Sequence, residues 1–488
     1  MGTFDLRQKE KDFLEREKLR HPELFHKKVS VDDDALLVNI GIEGAFGPRE
    51  RGHIKLFPED FIVEEISKEN NLVSIEDGPI FSARGGSTFG GEGGSNEPPV
   101  TDEKQKTVWF EVVKMGVDTI EVQNELSRIL GLERKFIGAA GIKDKFALTS
   151  QAVSVRGSSA EECGKVAAPN FFLKNIRVGK GALQIGDLSG NRFTIFVRVR
   201  DRVDQARFEE SVRDLEEQGF WNFFYLQRFG TPRLISHKLG LLILQGQFEE
   251  TVKASLTYAS EREVPYFQNF RRSMLEYWGD WEKLLLETEV LSYSFDTERR
   301  MITHLHANPG DFVGALNCVP EQIKLWVYAY ASYLFNKTLS RMIQSGEDVP
   351  FTLPLALGRD PRIGELYGRF FQMHHIAPPF AALKNFPFVQ KAEKEIETLK
   401  KFIFNGFYLV DGGVVLDFSL EKASYATTFL SHLFVLSSGQ PVPKRISIEE
   451  VDSKAILGTG TIKPLREGRF KNLFEMRKSN PIIISADD

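Results

Sequence analysis

The sequence predicts an α+β protein, and three observations support this class. Strand and helix patterns alternate up to about residue 230, helical patterns dominate from 231 to 400, and a strong β-hairpin signal returns after residue 400. The chain has 488 residues. At about 150 residues per domain, this length predicts roughly two to four domains. We therefore expect more than one hydrophobic core.

The composition excludes several classes of protein. Hydrophobic residues make up 42% and charged residues 27% of the chain, which is typical of a folded globular protein. The two cysteines, Cys163 and Cys318, are too few for a disulfide framework or a four-cysteine zinc site. The most apolar window, around 325 to 335, is far shorter than the roughly 20 residues that cross a bilayer. No targeting signal is visible, so we expect a cytoplasmic protein, or a nuclear one if the source is a eukaryote.

The first hundred residues contain two segments that we do not expect to build the main sheet. Residues 1 to 50 are dense in charge and predict an N-terminal extension with a peripheral helix and a linker. Residues 76 to 104 contain a run of glycines followed by Pro98 and Pro99, which predicts a flexible insertion. Between these segments, Pro58 leads into an apolar stretch that predicts a strand ending near Ile66.

The next elements are predicted by their caps and by their apolar spacing. Residues 107 to 113 predict a strand, and Asp118 with Glu121 resembles the capping box of a helix that Gly131 ends. Residues 193 to 199 predict a further strand, and the helix after it ends at Gly219. We assign 51 to 230 to the first part of one domain.

The last two segments differ in pattern. Residues 231 to 400 are mainly helical and predict an inserted domain, with their most periodic helix from 321 to 342 and its end near Gly346. In the segment from 401 to 488, Asp411, Gly412 and Gly413 supply the positive φ angles of a tight hairpin between two apolar runs. We assign this segment to the second part of the first domain, with a C-terminal tail.

Asp144 is the strongest candidate for a chemical role. Between residues 134 and 156 it is the one acidic residue, and the basic residues there are Arg134, Lys135, Lys143, Lys145 and Arg156. A lone carboxylate in such a field should stay ionised and could act as a nucleophile or base beside bound phosphate. The structural alternative is a turn residue with solvated lysine neighbours. The net charge of −5 means that any RNA site must be a local basic patch such as this one.

A resemblance to a known family adds to this argument. The segment Gly141, Ile142, Lys143, Asp144, Lys145, with Ala147, Thr149 and Gln151 after it, resembles the signature of the TruD family of pseudouridine synthases. Further matches follow in family order and cover roughly residues 50 to 435: Lys55 with residues 58 to 61, residues 190 to 193 with Arg198, Asn222 with residues 227 to 230, His237 with Gly240, Phe335 and Asn336 with Leu339 and Arg341, and residues 424 to 427.

The resemblance implies both a fold and an activity. It implies a pseudouridine synthase catalytic domain with a mixed, largely antiparallel sheet, built from two separated stretches around an inserted, mainly helical TRUD domain. It also implies an isomerase that converts uridine to pseudouridine in RNA, most often in tRNA at uridine 13, with Asp144 as the catalytic residue. This reaction changes no net oxidation state and uses no group donor, so we expect neither a cofactor nor a metal.

The same resemblance suggests which residues bind the substrate. A stacked uridine must be flipped out of the RNA before it can react, so the pocket needs aromatic faces and polar groups. Phe61 and Phe193 could stack the base, and the Asn191 amide suits the polar edge of uracil. The remaining candidates, Lys55, Lys143 and Gln151, could hold Asp144, a phosphate or the ribose. The structural alternative for both phenylalanines is ordinary core packing.

Two other functions remain open from the sequence. Some positions depart from the family pattern, notably Tyr225 and Ala423, where the family usually has glycine. These departures motivate the alternative that the chain is a non-catalytic RNA-binding protein on the same scaffold. The retention of Asp144 argues against this alternative. A hydrolase that pairs Glu64 and Glu65 with Asp144 is disfavoured, because adjacent strand residues point to opposite faces of a sheet.

Overall fold

A computed structural model describes residues 3–82, 94–95, 107–389 and 394–485. The predicted glycine-rich insertion at 76 to 104 lies outside these residues except for 76–82 and 94–95. Contacts between Cα atoms divide the chain into two compact units. We call the first, Met1–Gly47 with Trp221–Leu399, the helical unit, and the second, Pro48–Phe220 with Lys400–Asp488, the sheet unit.

The strands are numbered in chain order. They are β1 (Glu50–Ile54), β2 (Phe61–Ser67), β3 (Leu72–Val73), β4 (Phe81–Ser82), β5 (Gly94–Ser95), β6 (Thr107–Met115), β7 (Ile137–Ala139), β8 (Leu148–Arg156), β9 (Phe171–Gly179), β10 (Leu188–Val199), β11 (Phe220–Trp221), β12 (Thr352–Pro354), β13 (Glu395–Glu397), β14 (Leu399–Lys400), β15 (Phe402–Val410), β16 (Gly413–Glu421) and β17 (Phe434–Ser438).

The helices are numbered in the same way. They are α1 (Thr3–Arg20), α2 (Asp34–Asn39), α3 (Thr119–Leu130), α4 (Ala160–Gly164), α5 (Gln205–Gln218), α6 (Ser236–Leu244), α7 (Phe248–Thr257), α8 (Pro265–Glu276), α9 (Trp281–Glu287), α10 (Asp296–Ala307), α11 (Phe312–Asn317), α12 (Pro320–Ser345), α13 (Ile363–Met373), α14 (Ala426–Leu433), α15 (Ser453–Leu457), α16 (Lys463–Glu467) and α17 (Lys471–Lys478). No helix among the described residues is both long and apolar enough to cross a membrane.

The sheet unit is built on one large mixed sheet. Its strand order is β15-β16-β10-β2-β8-β6-β9-β4-β5, while β1 pairs with β10 and β17, β3 with β2, and β7 with β8. Most neighbours are antiparallel; the parallel pairs are β2 with β8, β1 with β17, and β4 with β9. The predicted α+β class with a mixed, largely antiparallel sheet is therefore confirmed.

The two faces of this sheet carry different layers. Strand side chains alternate between faces, so residues directly opposite one another on paired strands share a face. Phe61 and Phe193 lie on the face that packs against α5 and α14, in one buried apolar cluster. Ile62 lies on the other face and packs against Leu465 of α16 and Phe474 of α17. The sheet is therefore buried on both sides, with α15 to α17 behind it.

Several local predictions are confirmed by the structure. Asp118 and Glu121 form a reciprocal capping box at the start of α3, and Gly131 ends that helix at φ +64°. Helix α12 includes the predicted segment and ends at Gly346, which has φ +67°. The hairpin between β15 and β16 turns at Gly412, which has φ +78°. In each case a residue type suited to the required backbone conformation stands at the boundary.

The helical unit includes the N-terminal segment, which the sequence predicted to be peripheral. The buried Asn336 amide of α12 donates hydrogen bonds to the carbonyls of Ile40, at 2.9 Å, and Phe224, at 2.8 Å. Leu37 and Ile40 are buried in the core of this unit. The predicted domain boundaries lie at 51, 231 and 401, and the two units divide at residues 48, 221 and 400. The charged extension thus contains apolar residues that pack in a core, which its overall charge obscured.

Tyr225, one of the positions that departs from the family pattern, is buried in the helical unit. Its hydroxyl donates to a carboxylate oxygen of Asp32 at 3.3 Å, and the Arg262 guanidinium lies 3.2 Å from the other oxygen. Burial raises the pKa of Asp32 to about 6, against the opposing effect of Arg262. The ring therefore fills space within this unit, and its hydroxyl has a polar partner from the N-terminal segment.

Ala423, the second such position, has a backbone conformation that favours glycine. Its φ angle is +63°, in the left-handed region where a Cβ atom is strained. We expect Ala423→Gly to raise the free energy of unfolding by about 1 kcal/mol, since relief of this strain outweighs the extra entropy of an unfolded glycine. Denaturant unfolding of the two proteins would test this. A matched change at Ala254, inside α7, should instead destabilise the chain. A loss of stability for Ala423→Gly would contradict the expectation.

Candidate active site

Asp144 lies in the loop that connects β7 to β8, above the sheet face that carries Phe61 and Phe193. Its side chain is 48% exposed, and one carboxylate oxygen accepts a hydrogen bond from the Lys55 ammonium. Lys55 follows β1 and has a φ angle of +57°. Its Nζ also lies 4.3 Å from the centre of the Phe61 ring, a distance typical of a cation–π contact. Lys55 therefore lies between Asp144 and Phe61 and contacts both.

Lys143 is turned away from the carboxylate of its neighbour. Its buried ammonium lies 2.5 Å from Glu65 on β2, and this carboxylate also accepts from the Ala152 amide at 3.0 Å. A buried charge is tolerated only when it is paired and hydrogen-bonded, as both are here. Lys143 therefore binds the loop to the sheet, and contact with a phosphate would require this ion pair to open.

Gln151 supports the same loop from the strand beneath it. Its side-chain oxygen accepts from the Thr119 hydroxyl at 2.8 Å, and its amide nitrogen donates to the Gly141 carbonyl at 3.2 Å. The Thr119 hydroxyl in turn accepts from the Lys143 backbone amide at 2.8 Å. Gln151 contacts the backbone that carries Asp144 and does not contact its carboxylate.

Lys114 is a site residue that the sequence reasoning missed. Its buried Nζ donates to the backbone carbonyls of Asp144 at 2.7 Å, Val117 at 2.7 Å and Lys143 at 3.3 Å. Burial lowers the pKa of Lys114 to about 7; the negative charges of Asp144, Asp118 and Glu121 oppose the shift, and the positive charge of Lys143 adds to it. The available signal was a lysine among the apolar residues at the end of a strand, where burial requires a polar partner.

The titration of Lys114 predicts how it contributes to stability. Its ordinary pKa is 10.5 and its folded pKa is about 7, so between these values the unfolded chain binds the proton and the folded chain does not. Stability therefore rises with pH across this window. We expect the difference in unfolding free energy between wild type and Lys114→Met to shift in favour of wild type from pH 7 to pH 10. Denaturant titrations at several pH values would measure it, and a difference that stays flat would contradict the assignment.

Asn191, Phe193 and Phe61 lie on the two central strands near this loop. Asn191 on β10 stands opposite Glu65 on β2, and Phe193 stands opposite Val63. The side-chain oxygen of Asn191 is buried and has no hydrogen-bond partner among the described residues. A buried acceptor left unpaired costs roughly 1–3 kcal/mol, so this oxygen is available to a ligand or a water molecule.

The two phenylalanines are packed in the core. Phe61 is 3% and Phe193 is 6% exposed. Their rings meet edge to face with centroids 6.3 Å apart, and Phe193 stacks on Phe418 at 5.3 Å. Because Lys55 lies over the Phe61 ring, a base can stack there only if the lysine moves. The packing alternative raised from the sequence thus describes both residues in this structure.

Other motif residues hold the scaffold. Arg198 and Asp60 form a buried bidentate ion pair, with N···O distances of 3.0 and 2.7 Å, which ties β10 to the turn before β2. Glu64 points away from Glu65 and pairs with Lys454 of α15 at 2.8 Å. The opposite orientation of Glu64 and Glu65 is confirmed, so they do not form a carboxylate pair with Asp144.

His304 and His374 each lie close to a second histidine in the sequence, and both have side-chain partners in the structure. His304 contacts Asp311 at 2.8 Å, and the His374 ring contacts the Tyr330 hydroxyl at 2.7 Å. Over the described ranges, no three His, Cys, Asp or Glu side chains come together as potential metal ligands.

Comparisons with known proteins agree with the motifs and with the fold. A family model described as tRNA pseudouridine synthase D (TruD) matches residues 45–352. A "Probable tRNA pseudouridine synthase D" of Methanopyrus kandleri is 30% identical over 343 residues, covering 66% of this chain and 84% of the relative. A relative of similar name from Methanocaldococcus jannaschii is 27% identical, covering 78% and 94% of the two chains.

A solved structure supports the fold independently. The crystal structure of a TruD protein from Methanosarcina mazei superposes with a TM-score of 0.59 and 24% identity, covering 81% of this chain and 97% of that one. At this identity, the likeness concerns the fold alone. The matched family model extends over more than half of the chain and includes Lys55, Asp144 and Asn191. The chain belongs to the TruD family of tRNA pseudouridine synthases.

Proposed function

We propose that this protein converts the uridine at position 13 of tRNA to pseudouridine, with Asp144 as the catalytic carboxylate. Family membership makes the chain an RNA pseudouridine synthase, an isomerase that acts on tRNA. The choice of uridine and the roles of individual residues are the proposal. The observation that carries it is the half-exposed Asp144 carboxylate, which pairs with Lys55. The loop that carries Asp144 is fixed by Lys114 and by the ion pair of Lys143 with Glu65.

The reaction exchanges one glycosidic bond for another. The bond from ribose C1′ to uracil N1 breaks, the base turns, and a bond from C1′ to C5 forms. Asp144 could attack C1′ or uracil C6, or remove a ribose proton, and each route uses the same carboxylate. This scheme requires neither a cofactor nor a metal, because the base leaves and rejoins the same ribose.

Substrate binding is assigned to residues around Asp144. The Asn191 side-chain oxygen is a buried acceptor without a partner in the described part of the chain, so it suits the uracil imide N–H. Lys55 would move from Asp144 to a phosphate or remain as its counter-ion. Phe61 and Phe193 would contact the base only after Lys55 moves from the Phe61 ring, Lys143 would orient the loop, and Gln151 would hold the backbone near the ribose. We further propose that the protein acts in the cytoplasm, or in the nucleus of a eukaryotic source.

A direct test uses an unmodified tRNA transcript without added cofactor or metal. We expect one pseudouridine, mapped to position 13, and none in a matched transcript that carries cytidine there. Conversion at another position would overturn the assignment of the target. Tight tRNA binding without conversion of any uridine would favour the non-catalytic RNA-binding alternative.

A further inference from the structure

The catalytic loop presents apolar side chains to solvent on both sides of Asp144. Ile142 is 65% and Phe146 is 66% exposed. Gly141, Lys143 and Ala147 are buried, and the Lys145 side chain, paired with Glu121, is 40% exposed. The most exposed side chains of this segment are therefore those of Ile142, Asp144 and Phe146. Single exposed apolar residues are common, but two that flank a catalytic carboxylate call for a functional explanation.

This loop holds its backbone firmly, so the exposure is not the result of a loose segment. Lys114 binds the carbonyls of Lys143 and Asp144, Thr119 binds the Lys143 amide, and Gln151 binds the Gly141 carbonyl. These bonds hold the backbone from Gly141 to Asp144, on both sides of Ile142. Phe146 is followed by the buried Ala147, directly before β8 begins, so the segment is anchored at both ends.

A third exposed apolar residue adjoins the same segment. The Gly186 amide donates to the carbonyl of Ala140 at 2.8 Å, which brings the loop before β10 against the catalytic loop. Ile185, next to Gly186, is 68% exposed. Between residues 134 and 156 the sequence has five basic residues and one acid, and in the structure Lys143 pairs with Glu65 and Lys145 with Glu121. Exposed apolar side chains beside the proposed catalytic carboxylate match the base faces of a nucleic acid, and the substrate of this family is a tRNA.

We propose that Ile142 and Phe146 contact the RNA bases next to the target uridine and fill the stack that this uridine leaves. The inference rests on the proposed function. A flipped nucleotide leaves its neighbours without a stacking partner, and an inserted apolar or aromatic side chain can compensate for that loss. Because both residues flank Asp144, the side chains that replace the base would stand beside the group that reacts with it.

The test follows base flipping and chemistry separately. A tRNA with 2-aminopurine in place of the target uridine reports unstacking as a rise in fluorescence, and unmodified tRNA reports conversion. We expect the double variant Ile142→Ala with Phe146→Ala to give a rise at least about tenfold smaller than wild type, and a similarly slower single-turnover conversion. Phe351→Ala, a matched change at a phenylalanine that is 73% exposed in the helical unit, should behave as wild type.

The outcomes distinguish this inference from the proposed function. An equal fluorescence rise for wild type and double variant would overturn the inference, as would equal rates of single-turnover conversion. Failure of wild type to convert any uridine would instead overturn the proposed function. Truncation of side chains this exposed should leave the melting temperature nearly unchanged, which guards against loss of folding as the explanation.

Discussion

Asp144→Asn is expected to lower the rate of pseudouridine formation at least about 1,000-fold and to leave tRNA binding largely intact. The amide keeps the shape of the side chain but can neither act as a nucleophile nor accept a proton as a carboxylate does. Because the wild-type side chain is 48% exposed and its backbone is held by other residues, the fold should not change. Single-turnover conversion of tRNA, with binding measured in parallel, would show the effect.

The control for this substitution is the same chemical change elsewhere in the sheet unit. Asp214 is exposed on α5, and Asp214→Asn should convert tRNA at the wild-type rate. Equal rates for wild type and Asp144→Asn would move catalysis to another residue. A binding defect as large as the rate defect would show that Asp144 contributes to affinity, contrary to the proposed role.

Lys143→Met is expected to produce the largest loss of stability, about 3–5 kcal/mol. The substitution leaves the buried Glu65 carboxylate without its charged partner, in a place that water does not reach. Adding Glu65→Gln should recover most of this loss, because the neutral amide oxygen can still accept from the Ala152 amide. Denaturant unfolding of the two single variants and the double variant gives the coupling energy directly.

The same set of variants separates two roles of Lys143. If the lysine only holds the loop, the double variant should regain most of the activity together with the stability. If the lysine also meets the substrate, activity should stay low while stability returns. Lys145→Met is the matched control, since its partly exposed ion pair with Glu121, at 3.0 Å, should be worth roughly 1 kcal/mol. A stability loss for Lys143→Met no larger than that for Lys145→Met would contradict a buried ion pair.

Local elements of the fold were predictable because short-range chemistry determines them. Asp118 with Glu121, Gly131, Gly346 and Gly412 each satisfy a backbone requirement within a few residues, so the caps and the hairpin could be placed from the sequence. The position of the N-terminal segment could not be predicted from the sequence. Its apolar residues are few and its partners on α12 lie about three hundred positions away, as the bond between Asn336 and Ile40 shows.

The candidate site residues also fall into those that the sequence predicted and those that it did not. Asp144, Lys55 and Asn191 could be proposed from the sequence because motifs of fixed spacing contain them. The direction of Lys143 and the buried state of Phe61 and Phe193 depend on which strands lie side by side. Lys114 was missed because its role consists of bonds to backbone carbonyls, which have no signature in the sequence.

The sequence by itself determined the family, the α+β class and the candidate carboxylate, because each is encoded in residue identity and short-range spacing. Only the tertiary structure decided that Lys55 pairs with Asp144, that Glu65 takes the Lys143 ammonium, and that Ile142 and Phe146 face solvent. Those facts depend on burial and on strand pairing between residues far apart in the chain, where one register decides which charges meet and which apolar groups are left exposed.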